Sequence, residues 1–190
     1  MRYEGKWKNG KRHGKGRYTW RDGSMYKGGW KDGMQHGYGV KKLHDGTKYK
    51  GDWVKGLAHG VGTKVWPKDN TSYEGEWKKG KHSGHGVKIF SNGTKYDGTW
   101  KKGKPHGRAL LWWPDGRVYD IVFKNGMYDR LNAGYESHAR YDDHLREKRL
   151  QAEMEASPWL RINLGGAEGG DIEVEEGPDD DHDDEQPALQ

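Results

Sequence analysis

A tyrosine recurs every 23 or 24 residues along this chain, and this period constrains the fold more than any other feature. Each of the first five tyrosines is followed two residues later by glycine, four later by tryptophan and seven later by glycine. A His-Gly pair follows in four of those units, and an Asp-Gly or Asn-Gly pair ends four of them. Such a period indicates small structural units stacked side by side. The tyrosines are Tyr3, Tyr26, Tyr49, Tyr73, Tyr96 and Tyr119.

One unit has the pattern of a β-hairpin. Tyr-x-Gly-x-Trp places Tyr, Gly and Trp on one face of a strand and Lys or Glu on the other, because strand side chains alternate. Asn9-Gly10 and Asp32-Gly33 are turn signals, and a second strand follows at His-Gly-x-Gly. The predicted fold class is therefore mainly β: an elongated single-layer antiparallel sheet of repeated β-hairpins. About eleven strands at about 4.8 Å would reach about 50 Å.

The aromatic residues supply the expected core of this sheet. Only 31% of residues are hydrophobic, but the chain has 10 tryptophans and 11 tyrosines. Aromatic rings bury much area per residue, and a glycine between Tyr and Trp leaves bare backbone over which a neighbouring ring can lie. We expect a stacked aromatic seam in place of a globular core.

Charge divides the chain. Residues 1–133 hold 29 Lys+Arg and 12 Asp+Glu, whereas residues 134–190 hold 5 and 17. We expect three segments: the repeat array (1–133), a helix and capping segment (134–164), and an acidic disordered tail (165–190). Residues 139–156 have a helical pattern, and we expect this helix to cap the last hairpin, with docking onto another protein as the alternative. The tail could fold back on the basic array.

The repeated pattern closely resembles the membrane occupation and recognition nexus (MORN) repeat, Tyr-x-Gly-x-Trp-x-x-Gly-x-x-His-Gly-x-Gly. The units start at residues 3, 26, 49, 73 and 96, and a degenerate half-hairpin starting at 119 is expected to close the array. Ser83 replaces histidine in the fourth unit, and Ala109 replaces the second glycine in the fifth. The resemblance implies an elongated sheet that serves as a scaffold or adaptor. It also implies settings such as cilia and flagella with their axonemes, membranes and cytoskeletal junctions.

Enzyme chemistry is not expected. Equivalent side chains of neighbouring units lie about 10 Å apart, too far for two of the repeated histidines to bind one zinc ion. The chain has no cysteine, which excludes disulfides, thiolate metal sites and a cysteine nucleophile. The Gly-x4-Gly-Lys stretches lack the Ser or Thr of a phosphate-binding loop. We predict no catalytic residue, no metal and no cofactor.

Two sets of residues are candidates for binding a partner. The aromatic face could receive an amphipathic helix or an acidic segment of a partner protein. Repeated lysines should form rows with a broad positive field that attracts acidic partners or anionic lipid headgroups. The alternative is that these lysines only keep the strand surfaces soluble. The aromatic candidates are Tyr26, Trp30, Tyr49, Trp53, Tyr73, Trp77, Tyr96 and Trp100. The lysine candidates are Lys8, Lys31, Lys78, Lys101, Lys41, Lys64 and Lys88.

The leading hypothesis is a non-enzymatic adaptor that binds partner proteins, with a membrane-surface tether as the alternative. The N-terminal residues show no apolar signal segment, and no long apolar run is present, so we expect a cytoplasmic protein. A cytoskeletal or ciliary site rests on the resemblance alone. Nucleic acid is an unlikely partner because no nucleic-acid motif is visible. The sequence also allows the chain to form homo-oligomers through the first edge strand or the C-terminal segment.

Overall fold

The computed structural model describes residues 1–131, which form one open antiparallel sheet of twelve strands in strict chain order. Each strand pairs only with its neighbours in sequence, as expected for a row of hairpins. The first six strands are β1 (Arg2–Lys8), β2 (Lys11–Thr19), β3 (Met25–Lys31), β4 (Met34–Lys42), β5 (Lys48–Val54) and β6 (Leu57–Trp66). The others are β7 (Thr71–Lys78), β8 (Lys81–Ile89), β9 (Lys95–Lys101), β10 (Lys104–Trp112), β11 (Val118–Lys124) and β12 (Met127–Leu131).

The register of the hairpins is set by glycine. Gly5 lies opposite Gly16, which in turn lies opposite Gly28, and this glycine pairing continues across the sheet as far as Gly98. Just beyond the Gly5–Gly16 pair the register shifts by a bulge, where Gly14 has a φ of 65°. A side chain is strained in this left-handed conformation, so glycine is needed here.

An unbroken chain of ring contacts forms the core. The tyrosines of the first four units each contact the tryptophan of their own unit and that of the next unit edge-to-face. Tyr26, for example, lies 5.2 Å from Trp30 and 5.4 Å from Trp53, centroid to centroid. Tyr96 contacts Trp100 of its own unit and Phe123 of the sixth. Edge-to-face pairs of this kind stabilise a structure beyond the area they bury. The predicted aromatic seam is therefore present, and it runs through all the units.

Hydrogen bonds on the aromatic face join consecutive units. The indole Nε1 of Trp77 donates to the carbonyl oxygen of Gly62 at 2.9 Å, and three other tryptophans make the equivalent bond. A second set joins the hairpin turns, as where the Gly80 amide donates to the Ala58 carbonyl at 2.8 Å. Each unit therefore depends on its neighbour for satisfied polar groups.

Two details differ from the prediction or refine it. The sixth unit is a full hairpin, so the prediction of a half-hairpin is wrong: Met127–Leu131 pairs with β11 because Lys124-Asn125-Gly126 still provides a turn, with Asn125 at a φ of 53°. The extra residue between Tyr49 and Tyr73 is absorbed by a longer β6 and the turn after it, where the Asn70 amide donates to the Pro67 carbonyl. The predicted helix at 139–156, the capping segment and the acidic tail lie outside the described residues.

Candidate functional site

The sheet presents two chemically different faces. We call the side that carries the repeated tyrosines and tryptophans the aromatic face, and the other side the opposite face. Among residues 1–131, most of the large apolar side chains that remain exposed lie on the opposite face, including Tyr38, Val61, Ile89 and Trp112. Tyr38 and Val61 share one repeat position, and Ile89 and Trp112 share another. Sequence reasoning missed them because polar residues occupy both positions in other units.

The rings proposed from sequence as partner contacts form the floor of the aromatic face. Tyr26 and Tyr73 are fully buried, and Trp30, Trp53, Trp77 and Trp100 each expose 5% of their surface. Tyr49 and Tyr96 are also buried. Burial raises the pKa of all four tyrosines, and each hydroxyl donates to a carbonyl three residues later, as Tyr73 does to Glu76 at 2.9 Å. These rings shape the surface from below.

One of the lysine sets lies on the aromatic face. Lys41 lies directly opposite both Tyr26 and Tyr49 in the sheet, and residues paired across strands point to the same side. Lys64 lies opposite Tyr49 and Tyr73 in the same way, and Lys88 lies opposite Tyr73 and Tyr96. We call Lys41, Lys64 and Lys88 the lysine row.

The ammonium groups of the lysine row sit over aromatic rings. The Nζ atom of Lys64 lies 4.6 Å from the centroid of Trp66, and that of Lys41 lies 5.4 Å from Trp20. Lys88 lies 5.1 Å from Phe90. The ring quadrupole attracts a cation at these distances. The aromatic face therefore combines positive charge with apolar surface.

The remaining candidate lysines lie on the opposite face. Lys8, Lys31, Lys78 and Lys101 each directly follow a tryptophan of the aromatic face, and successive strand residues point to opposite sides. All four are exposed. The structure thus separates the lysines that the sequence analysis grouped by charge.

A variable position completes the aromatic face. In the first five units, the residue nine places after the tyrosine packs beside the rings and differs from unit to unit: Arg12, Gln35, Ala58, His82 and Pro105. The guanidinium of Arg12 lies 4.4 Å from the Trp30 centroid. The His82 imidazole stacks on Tyr73. Because these residues share no identity, the repeat pattern did not reveal them.

The hollows of this surface are shallow. A depression of about 310 Å³ lies on the aromatic face of the first units, where Arg12, Trp20, Trp30 and Lys41 contribute to its lining. Its volume lies at the low end of the range of pockets that enclose small-molecule ligands.

The repeated histidines stand apart from one another in the described part of the chain. His13 lies 3.9 Å from Asp32, and the Nδ1 atom of His106 accepts a hydrogen bond from the Asn125 amide. No group of three His, Cys, Asp or Glu side chains within residues 1–131 is arranged to hold a metal ion. Over the same residues, no helix has the length and hydropathy required to cross a membrane.

Comparison with known families identifies the repeat. The family model described as MORN repeat matches residues 3–25, 26–48, 49–71, 73–95 and 96–116, the units derived above. Comparison with curated proteins finds no match. Repeats of this family suggest scaffolds that bind proteins or membranes, and they are generally non-enzymatic. With five matched units that cover more than half of its length, the chain belongs to the MORN repeat family.

Proposed function

We propose that this chain is a non-enzymatic adaptor that binds partner proteins through its aromatic face. The observation that carries the proposal is the position of the lysine row, whose ammonium groups lie over Trp20, Trp66 and Phe90 on an apolar surface. Interfaces combine desolvated aromatic anchors with charged groups that orient the partner. The sequence-proposed residues from Tyr26 to Trp100 form the floor of this contact.

A membrane-surface tether is the second candidate, and a different observation favours it. Lys8, Lys31, Lys78 and Lys101 are exposed on the opposite face and recur from unit to unit. Basic clusters near an anionic leaflet gain about 1 kcal/mol per residue close to the surface. The two candidate functions therefore use opposite sides of one sheet.

Matched charge reversals distinguish the two functions. The triple variant Lys41→Glu, Lys64→Glu, Lys88→Glu changes the charge of the aromatic face, and Lys31→Glu, Lys78→Glu, Lys101→Glu changes the opposite face by the same amount. If the adaptor function holds, only the first variant loses its protein partner. If the tether holds, only the second loses flotation with vesicles that contain acidic lipid. Urea unfolding of both variants checks that the sheet remains folded.

Site-specific cross-linking tests where the partner sits. A photo-cross-linking side chain placed at Leu43, which is half-buried and lies two residues after Lys41 of the lysine row, should capture a protein in cells. The matched control is Val61, which is 63% exposed on the opposite face. Capture at Leu43 that disappears in the Lys41, Lys64 and Lys88 variant supports the adaptor. Capture at Val61 alone would contradict it.

The proposed setting is the cytoplasm, within a cytoskeletal, ciliary or flagellar assembly. Membership of the MORN repeat family supports it. Imaging the full chain with a fluorescent tag, with and without detergent extraction, tests this placement. A signal that is fully extracted and diffuse would contradict it.

A further inference from the structure

The lysine row alternates with tyrosines along a line that crosses the strands. Each lysine is directly opposite the tyrosines on both sides of it, so neighbouring lysines are two strands apart. Strands in a sheet lie 4.7–4.9 Å apart, which places successive lysine positions about 9.6 Å from each other. In order, the line contains Tyr18, Tyr26, Lys41, Tyr49, Lys64, Tyr73, Lys88, Tyr96 and Leu111.

Uncharged residues close this line at both ends. The first unit has Tyr18 and the fifth has Leu111 at the position that lysine occupies in the three central units. The positive charge on the line is therefore confined to three points spanning about 19 Å. A partner that matches this pattern carries negative charge at the same interval.

The lysines have given up part of their hydration. All three are half-buried, and burial lowers the pKa of Lys41, although the carboxylate of Asp22 opposes that shift. A partly desolvated cation favours a nearby opposite charge more than a fully hydrated one does. A carboxylate that reaches Lys41 would therefore be attracted more strongly than one that reaches an exposed surface lysine.

An apolar strip runs beside the lysine row on the same face. It consists of Trp20, Leu43, Trp66 and Phe90, each two residues after the position of the lysine row. Two residues along a strand cover about 6.8 Å. An α-helix about 10 Å across can cover both rows at once.

We infer that the partner segment is an α-helix with acidic residues at positions i, i+7 and i+14, which contact Lys41, Lys64 and Lys88. Seven residues of a helix advance about 10.5 Å, close to the interval of the lysines, and lysine side chains are long enough to absorb the difference. The same seven residues return to within about 20° of the same direction, so the three carboxylates share one face. This inference rests on the proposed adaptor function and adds the chemistry and spacing of the partner.

Three synthetic peptides of about 22 residues test the spacing against the full chain. The matched peptide has glutamate at i, i+7 and i+14 with leucine three or four residues after each. The shifted peptide has the same composition, but its middle glutamate is moved two residues later, which turns that carboxylate to the other side of the helix. The third peptide is proline-rich with glutamate at every third residue, because a polyproline helix advances about 9.3 Å in three residues.

Fluorescence anisotropy at low salt gives the affinities, and circular dichroism confirms that the first two peptides are helical. The matched peptide should bind at least about tenfold more tightly than the shifted one. Lys64→Gln should remove most of that difference, whereas Lys78→Gln on the opposite face should leave it unchanged. Rising salt should reduce it.

The other outcomes separate this inference from the adaptor function. Equal binding of matched and shifted peptides would overturn the spacing, and the adaptor function would stand if the triple reversal of the lysine row abolishes both. Tighter binding of the proline-rich peptide would overturn the helix. Absence of binding by all three would overturn the inference; if cross-linking at Leu43 persists, the adaptor function survives, and if it is also absent, both fail.

Discussion

The imidazole ring of His82 stacks on the phenol ring of Tyr73, with the two centroids 3.7 Å apart and the planes inclined by 14°. Trp77 and Trp100 also contact the imidazole edge-to-face, with ring centroids 4.5 and 5.0 Å from its centroid. Arg12, Gln35, Ala58 and Pro105 occupy the same position in the other units. The fourth unit alone of these five therefore places a titratable imidazole in the seam.

We predict that His82 makes stability depend on pH. Burial lowers the pKa of His82 to about 3, and the nearby charges of Lys88 and Lys64 act in the same direction. The unfolded chain then binds the proton more readily, with a pKa of about 6.5. The stabilisation is complete above about pH 6.5 and is lost as pH falls towards 3, by up to about 1.4 kcal/mol per pH unit.

Urea unfolding between pH 7 and pH 4.5 measures this effect, and His82→Gln is the control. Carboxylates protonate in both proteins, so the informative quantity is the difference between their pH slopes. His82→Gln should have the shallower slope. Parallel slopes would show that the imidazole does not resist protonation.

Trp77→Phe tests the hydrogen bond between units. The variant keeps a ring against Tyr73 but removes the indole N–H that donates to the buried Gly62 carbonyl. We expect a loss of about 1–3 kcal/mol in the free energy of unfolding. Trp7→Phe is the matched control: Trp7 is 60% exposed on β1, and its replacement should cost less than about 0.5 kcal/mol. Equal costs would contradict the role assigned to this bond.

Gly86→Ala tests the row of paired glycines that lies under the tyrosine rings. A Cβ atom at Gly86 would lie 2.5 Å from the Cζ atom of Tyr73. The ring must move, and its bond to the Glu76 carbonyl must lengthen or break. We expect a cost of about 1–3 kcal/mol in urea unfolding.

A double-variant cycle gives the control for Gly86→Ala. In a Tyr73→Phe background the hydroxyl is already absent, so the alanine has less to displace and should cost less than it does with tyrosine present. Additive costs would indicate that the methyl group acts elsewhere.

The acidic segment 165–190, which lies outside the described residues, gives a prediction on binding. Its carboxylates carry much of the negative charge of the chain and would compete with an acidic partner for the lysines. Deleting residues 165–190 should therefore raise the affinity for the matched peptide at low salt, with little effect at high salt. Isothermal titration of the two proteins compares them. Unchanged affinity at low salt would argue against competition.

The period of the sequence was sufficient to predict the hairpins, their order and the aromatic seam, because Tyr, Gly and Trp recur within one strand. The side on which Lys41 lies could not be derived in the same way. Lys41 is separated from Tyr26 by a turn and by a bulge, where Gly37 has a φ of 64°, and both interrupt the simple alternation of sides. Cross-strand register, which only the structure provides, places Lys41 on the aromatic face.

The repeat pattern could not predict the second strand of the sixth unit or the residues at the variable position, for a different reason. Phe123 replaces tryptophan and still contacts Tyr96 at 5.7 Å, so the packing continues where the motif ends. His82 and Arg12 occupy equivalent places with unrelated side chains. Packing geometry is shared between units even where residue identity is not.

The strict chain order of the twelve strands has a mechanical consequence. Because β1 and β12 form opposite margins of the sheet, tension applied at residues 1 and 131 would peel strands away successively. Hydrogen bonds in such a geometry open one after another under modest load. A sheet of this design would extend gradually under tension and would recover by closing its hairpins in turn.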